Sequence, residues 1–168
     1  MTEPQIKAPD SHHVLAASGW IELGDAAEAT RELEMVEPSL HGHPEVLNVR
    51  WNILASGSKW EEAVDLARTL RDLTPDEPLG WIHLAYALHE LKQTQEAFET
   101  LQPIVERFPQ CETIPYNLAC YTAQMGQLDQ ARKWLKRAMK TGHATRIKSM
   151  ALEDLDLKPL WPEIRETS

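Results

Sequence analysis

The sequence predicts an all-α protein made of four helix–turn–helix units in series, followed by a short helical cap. Three observations predict this fold class. An alanine recurs at intervals of 34 residues, at Ala29, Ala63, Ala97 and Ala131. A turn-forming residue or pair precedes each alanine by four or five positions, and a proline follows the second helix of the first three units. Between these markers, apolar residues recur at i, i+3, i+4 and i+7, the spacing of one helix face.

The first unit is predicted over residues 10–43. Gly24 supplies the turn between its two helices, because glycine adopts the left-handed backbone conformation without steric cost. Ala29 lies on the second helix, which Pro38 ends. This unit matches the repeated pattern least well, as terminal repeats often do.

The second unit is predicted over residues 44–77, with a turn at Ser58, after Gly57, and a stop at Pro75. Its first helix departs from the pattern of the other units. Arg50 and Trp51 stand where the pattern has a large apolar residue and a small one. We therefore expect this helix to be rotated or shifted, and we single out Trp51 as the tryptophan that is least clearly a core residue.

The third and fourth units, 78–111 and 112–145, show the pattern most clearly. The first helix of the third unit has apolar residues at Trp81, Leu84, Ala85 and Leu88. Its second helix continues the same spacing through Ala97, Leu101, Ile104 and Val105, and is predicted to run toward Pro109. Small residues at the recurring alanine positions allow two helices to approach closely, and stacked hairpins bury a continuous core.

A 34-residue period with these residues resembles the tetratricopeptide repeat family, over about residues 10–145. The resemblance implies a right-handed α-solenoid of four units, with the first helix of each unit lining a concave groove. Residues 1–9 are predicted to be a disordered lead, and 146–168 a capping helix and tail. In that tail, Asp156 is the expected N-cap, with Leu157, Leu160 and Trp161 covering the last apolar face.

Composition excludes several classes of function. The net charge of −9 opposes nucleic-acid binding, and no apolar run is long enough to cross a membrane. Two cysteines without an export signal indicate reduced thiols in the cytoplasm. The charge is uneven: residues 1–84 contain 6 Lys and Arg against 15 Asp and Glu, whereas residues 85–168 contain 11 of each.

No pattern of catalytic, cofactor-binding or metal-binding residues stands out. The paired histidines His12 and His13, and His41 and His43, lack the spacing of helical metal ligands. Cys120 has no activating base near it in sequence. We therefore predict a protein that is not an enzyme and that holds no metal or cofactor. A small hydrolase or metal-dependent enzyme on the same fold remains the alternative from another class.

The resemblance assigns a set of positions to the concave groove, and we predict that they bind another protein or peptide. The residues selected as contacts are Asn48, Asn52, Ile82, His83, Tyr86, Tyr116, Asn117 and Cys120. None of the groove positions is lysine or arginine, so we predict against the carboxylate clamp by which some family members hold a chaperone's acidic end. The expected ligand is a neutral or basic segment, extended or helical, with binding outside the groove as the alternative.

A basic helical face is the other candidate site. Lys133, Lys136, Arg137 and Lys140 fall on one side of a predicted helix, and no acid lies between Asp129 and Glu153. A solvated outer face explains this pattern, as does a docking surface for an acidic partner. Together with the acidic first half, it raises the alternative that the protein self-assembles as a homo-oligomer through its two ends.

Overall fold

The computed structural model describes residues 5–166, and these form ten α-helices and three short 3₁₀ helices with no strand. None of these helices combines the length and apolar character that a membrane span requires. The predicted all-α fold class is confirmed. The chain divides after Gly80 into two compact units, and each is described separately. The first four residues of the predicted disordered lead lie outside the described part.

The first unit consists of two helical hairpins. Its helices are α1 (Asp10–Glu22), α2 (Ala26–Glu34), α3 (Pro44–Ser56) and α4 (Trp60–Leu73). Helix α1 packs against α2, α3 packs against α4, and α3 also contacts both helices of the first hairpin. Gly24 has φ +81° in the first turn, and Ser58, the predicted turn residue after Gly57, has φ +53° in the second.

An apolar cluster joins the first hairpin to α3. It includes Ala17, Ala29 and Val46, all at 0% exposure. Ile6 belongs to the same cluster, so the chain already contacts the core before α1 begins. Trp51 is buried and Arg50 is half-buried on α3. The tryptophan that the sequence left unassigned is therefore a core residue.

The second unit contains the remaining helices and a C-terminal cap. These are α5 (Leu79–Glu90, whose first two residues belong to the first unit), α6 (Thr94–Leu101), α7 (Thr113–Gln124), α8 (Leu128–Thr141), α9 (Ala144–Glu153) and α10 (Trp161–Glu166). Helix α7 packs against α6 and α8, and α8 packs against α9. The recurring Ala97 and Ala131 are at 0% exposure, as are Ala29 and Ala63 of the first unit. Small side chains at these positions permit close packing of the hairpins.

Helix α6 is shorter than predicted. It ends at Leu101 and passes into a 3₁₀ turn over Gln102–Ile104 that contains Pro103. Proline has no amide hydrogen and its ring collides with the preceding turn, so the α-helix cannot continue to Pro109. Ile104 and Val105 are nevertheless buried, because the irregular segment keeps them against the core.

The C-terminal segment packs on the second unit as a 3₁₀ helix (Leu155–Leu160) followed by α10. Its N-cap is Asp154 rather than the predicted Asp156: the Asp154 Oδ1 accepts a hydrogen bond from the Asp156 amide at 3.0 Å. Leu157 and Leu160 are buried, and the 3₁₀ helix contacts α7, α8 and α9. The Trp161 indole N–H donates to the Ala151 carbonyl at 2.8 Å, which ties α10 to α9.

Candidate functional site

The predicted partner-binding residues are divided between the two units. Asn48 and Asn52 are half-buried on α3 of the first unit, one helical turn apart and therefore on the same face. The other six lie on α5 and α7 of the second unit. Among these six, only Tyr86 is exposed, at 41%, whereas Ile82 is half-buried and His83 is buried.

A pocket of about 410 Å³ gathers the remaining predicted residues of the second unit. Its walls come from α5, α7 and the segment that joins α9 to the 3₁₀ helix. The lining residues are Tyr86, His89, Glu90, Tyr116, Asn117, Cys120, Tyr121, Glu153, Asp154, Leu155 and Asp156. Tyr116, Asn117 and Cys120 are buried at its base. The predicted Ile82 and His83 are not among the lining residues.

Asp154 is hydrogen-bonded to two of the predicted site residues. Its Oδ2 accepts from the Tyr116 hydroxyl at 2.9 Å and from the Cys120 thiol at 3.4 Å. Because its Oδ1 accepts from the Asp156 amide, both carboxylate oxygens are engaged. The protein's own C-terminal segment thus lies against the positions at which the sequence predicts a partner.

Asp156 is held from the other side of the pocket. Its Oδ2 accepts from His89 Nε2 at 2.8 Å, and its backbone carbonyl accepts from the Gln124 side-chain amide at 3.1 Å. The His89 ring is fixed in turn by the Thr94 hydroxyl, 3.0 Å from Nδ1, and by the Tyr121 ring, with centroids 4.8 Å apart. These contacts orient both aspartates before any ligand arrives.

The pocket is acidic, and its hydroxyl and thiol groups stay protonated. Four carboxylates line it and no lysine or arginine does. Burial, followed by the nearby Asp154, raises the pKa of the Cys120 thiol well above its usual value. Burial likewise raises the pKa of Tyr116, with Cys120 and Asp154 adding to the effect. A protonated buried thiol is a poor nucleophile, so Cys120 serves as a hydrogen-bond donor to Asp154.

Metal ligation has no support from the side-chain arrangement. Across residues 5–166, no group of three or more His, Cys, Asp or Glu side chains is placed to hold a metal ion. His89 and Asp156 are bonded to each other and to protein groups rather than directed toward a common centre.

His83 is a buried histidine on α5, and burial lowers its pKa from an ordinary value of 6.5 to about 4. Between these two values the unfolded chain binds a proton that the folded chain does not. The contribution of His83 to the free energy of unfolding is therefore complete above pH 6.5, and it is lost as the pH decreases through this window.

We expect acidification from pH 7 to pH 5 to cost the wild-type protein about 2 kcal/mol through His83 alone, since one pKa unit corresponds to roughly 1.4 kcal/mol. The measurement is urea unfolding of wild type and His83→Gln at both pH values. Other titrating groups contribute equally to the two proteins, so the variant should lose less stability on acidification by about this amount. Equal losses would show that folding does not lower the pKa of His83.

Three of the four residues predicted to form the basic face are exposed, and the fourth is in an ion pair. Lys133, Lys136 and Lys140 are exposed on α8. Arg137, the fourth residue predicted there, is bound to Glu106 at 2.6 Å, and its guanidinium lies 5.8 Å from the Trp134 ring. Arg137 is thus a structural contact of the second unit, and the exposed cations of this face are the three lysines.

Comparison with known proteins finds likeness at the level of structure. No protein-family model matches the chain, and no curated protein matches it. Among solved structures, it is similar to TTC0263, a thermophilic TPR protein of Thermus thermophilus, with 18% identity, a TM-score of 0.71 and coverage of 94% of this chain and 100% of that one. It is also similar to MamA, residues 41 to the end, from Desulfovibrio magneticus RS-1, with 18% identity, a TM-score of 0.67 and 96% of each chain covered.

Proposed function

Because the chain has the tetratricopeptide-repeat fold, we propose that it is a non-enzymatic adaptor or scaffold that binds a peptide segment of another protein on the first helices of its repeats. The observation that carries this proposal is the acidic, tyrosine-lined pocket of the second unit. An exposed aromatic ring beside a preformed concavity is a common anchor for peptide side chains. Tyr86 provides that ring.

The chemistry of the pocket favours a basic side chain of the partner. Glu90, Glu153, Asp154 and Asp156 give it negative charge, and an acidic ligand would enter without a lysine or arginine to pair with it. A lysine or arginine can pair with these carboxylates while its cation approaches the face of Tyr86. Of the two kinds of segment expected from the sequence, the pocket therefore favours a basic segment over a neutral one.

The C-terminal segment contributes to this site instead of serving only as a cap. Two of the four carboxylates come from it, and their positions are fixed by Tyr116, Cys120 and His89. A preorganised acidic group binds a cation without first losing side-chain freedom. We therefore place Asp154 and Asp156 among the ligand-binding residues, with Tyr116 and Cys120 as their supports.

Asn48 and Asn52 remain proposed contacts to a peptide backbone in the first unit, because an amide side chain both donates and accepts. Asn52 is the better residue to replace in a binding assay. Asn117 is buried on α7, so its replacement would change stability as well as binding.

Selection from a displayed random-peptide library tests the proposal. We expect peptides containing lysine or arginine to be enriched. The affinity of a selected peptide should fall about tenfold in the double variant Glu90→Gln and Glu153→Gln, because two partly exposed ion pairs each contribute up to about 1 kcal/mol. The matched control, Glu96→Gln and Glu166→Gln, changes the net charge equally at exposed positions outside the pocket.

The control should keep nearly the wild-type affinity. Enrichment of acidic peptides, or equal losses in the two double variants, would contradict a cation-binding pocket. If the Tyr86→Ala variant kept the wild-type affinity, Tyr86 would not be the anchor. Failure to select any peptide would overturn the peptide-binding adaptor itself.

A further inference from the structure

A stripe of three exposed lysines runs along α8 in the second unit. Lys133, Lys136 and Lys140 are spaced i, i+3 and i+7, which places them on one side of the helix over roughly 10 Å. Within the part of the chain that the structure describes, no carboxylate lies within 4 Å of any of the three amines. We name these residues the lysine stripe.

The acids that lie beside the stripe in space are already paired with arginines, Glu163 with Arg132 and Glu106 with Arg137. The sequence contains no acid from residue 130 to residue 152, so the nearest positions along the chain add only positive charge. Trp134 and Met139 are half-buried on either side of the stripe and offer apolar surface beside the amines. Like charges at this spacing repel one another on an isolated helix, and an opposite charge placed across them would remove that cost.

The first unit carries a groove of complementary charge. A cavity of about 610 Å³ between α2, α3 and α4 is lined by apolar residues, Leu33, Ile53, Leu54 and Leu66, and by three acids, Glu34, Glu62 and Asp65. Arg50 is the one cation among the residues that line it. We name this surface the acidic groove.

The carboxylates of the acidic groove are available to a partner. Glu34 is exposed at the end of α2. Glu62 lies 3.9 Å from Lys59, the N-cap of α4, and Asp65 lies 3.3 Å from Arg68, but both are exposed pairs between residues three positions apart. Such pairs contribute little to stability and are readily exchanged for other cations.

We propose that a second copy of this chain covers the acidic groove, with the lysine stripe of one copy docking on the groove of the next. The two surfaces occur in the same sequence and are opposite in charge: residues 1–84 carry all of the net charge of −9, whereas residues 85–168 are neutral overall. Each copy offers both halves of the contact, so copies associate either reciprocally, as a dimer, or head to tail, as a ring or a chain.

This contact must be short-ranged and sensitive to salt. At long range two copies repel each other because each has a net charge of −9, so attraction comes from local pairing at contact. Ions at about 0.5 M reduce the screening length to a few Å and weaken such pairs, whereas about 50 mM leaves them largely intact. We expect larger species at low salt and high protein concentration, and a monomer at high salt.

Sedimentation velocity of the full chain and of charge-reversal variants tests the proposal. At low salt, the double variant Lys136→Glu and Lys140→Glu should remain monomeric, and so should Glu34→Lys with Glu62→Lys. An equimolar mixture of the two variants should associate again, because each presents a surface complementary to the other. The control, Lys92→Glu with Lys158→Glu, changes the net charge equally at exposed sites outside the stripe and should associate as wild type does.

A wild-type protein that stays monomeric at low salt would overturn the proposal. A mixture of the two variants that stays monomeric would also overturn it, as would a control variant that loses as much association as the stripe variant does. None of these outcomes bears on the pocket of the second unit, since the stripe, the acidic groove and that pocket share no lining residue. Peptide binding by the Lys136→Glu and Lys140→Glu variant is the readout that keeps the two proposals separate.

Discussion

Replacement of Gly80 with alanine is expected to destabilise the protein by about 3 kcal/mol, at the upper end of the range for overpacking. A Cβ atom at this position would lie 2.5 Å from the Arg71 nitrogen, 2.6 Å from the Arg71 Cα and 3.0 Å from the Leu70 carbonyl carbon. These are backbone atoms near the end of α4, so no side-chain rotation can relieve the collision. The start of α5 would have to move away from α4.

Gly19→Ala is the matched control for this variant. Gly19 lies inside α1, and a Cβ atom there would meet no heavy atom within 4 Å. Alanine is favoured over glycine in a helix interior by about 1 kcal/mol, so this replacement should stabilise the protein slightly. Urea unfolding followed by circular dichroism measures both effects. If the two variants had the same stability, the close approach at Gly80 would not exist in solution.

The second large effect is expected from Leu157→Ala, which should also cost about 3 kcal/mol. Leu157 is at 0% exposure in the 3₁₀ helix of the C-terminal segment, which contacts α7, α8 and α9. Its truncation removes apolar contacts and leaves a cavity at the base of the segment that carries Asp154 and Asp156. The measurement is again the free energy of unfolding in urea.

Leu155→Ala is the control within the same turn, since this leucine is 72% exposed. Its replacement should change stability by less than about 0.5 kcal/mol. A Leu157→Ala variant as stable as Leu155→Ala would mean that the C-terminal segment is not docked on the second unit. In that case Asp154 and Asp156 would not be fixed in the pocket, and the affinity for a basic peptide should be weak in the wild type as well.

The hairpins of this protein could be predicted because their information is local. Alanines at one interval, apolar residues at helical spacing and glycine at Gly24 and Gly126 predict helices and turns without any knowledge of distant contacts. Both glycines have positive φ. The early end of α6 was also visible in the sequence, since Pro103 lies two residues after Leu101. The helical spacing of Ile104 and Val105 nevertheless predicts a helix that continues toward Pro109.

The candidate site was predicted less completely. The sequence placed Tyr86, Tyr116, Asn117 and Cys120 on one surface, and these four residues do line a single pocket. It did not indicate that Asp154 and Asp156 would complete that pocket, because the acids at 153, 154 and 156 lack the spacing of a cation-binding loop and match a helix cap better. His89 lies at a position that the family resemblance assigns to the groove, although it is not among the residues selected as contacts there.

By itself, the sequence determined the helical repeat, the positions of the small residues between helices and the uneven distribution of charge. Only the tertiary structure decided which acids face the pocket and which glycine meets another backbone. The physical reason is distance along the chain. The hydrogen bond from Tyr116 to Asp154 joins residues 38 positions apart, and that from His89 to Asp156 joins residues 67 positions apart. Contacts of this range depend on the path of the whole segment, which local periodicity does not record.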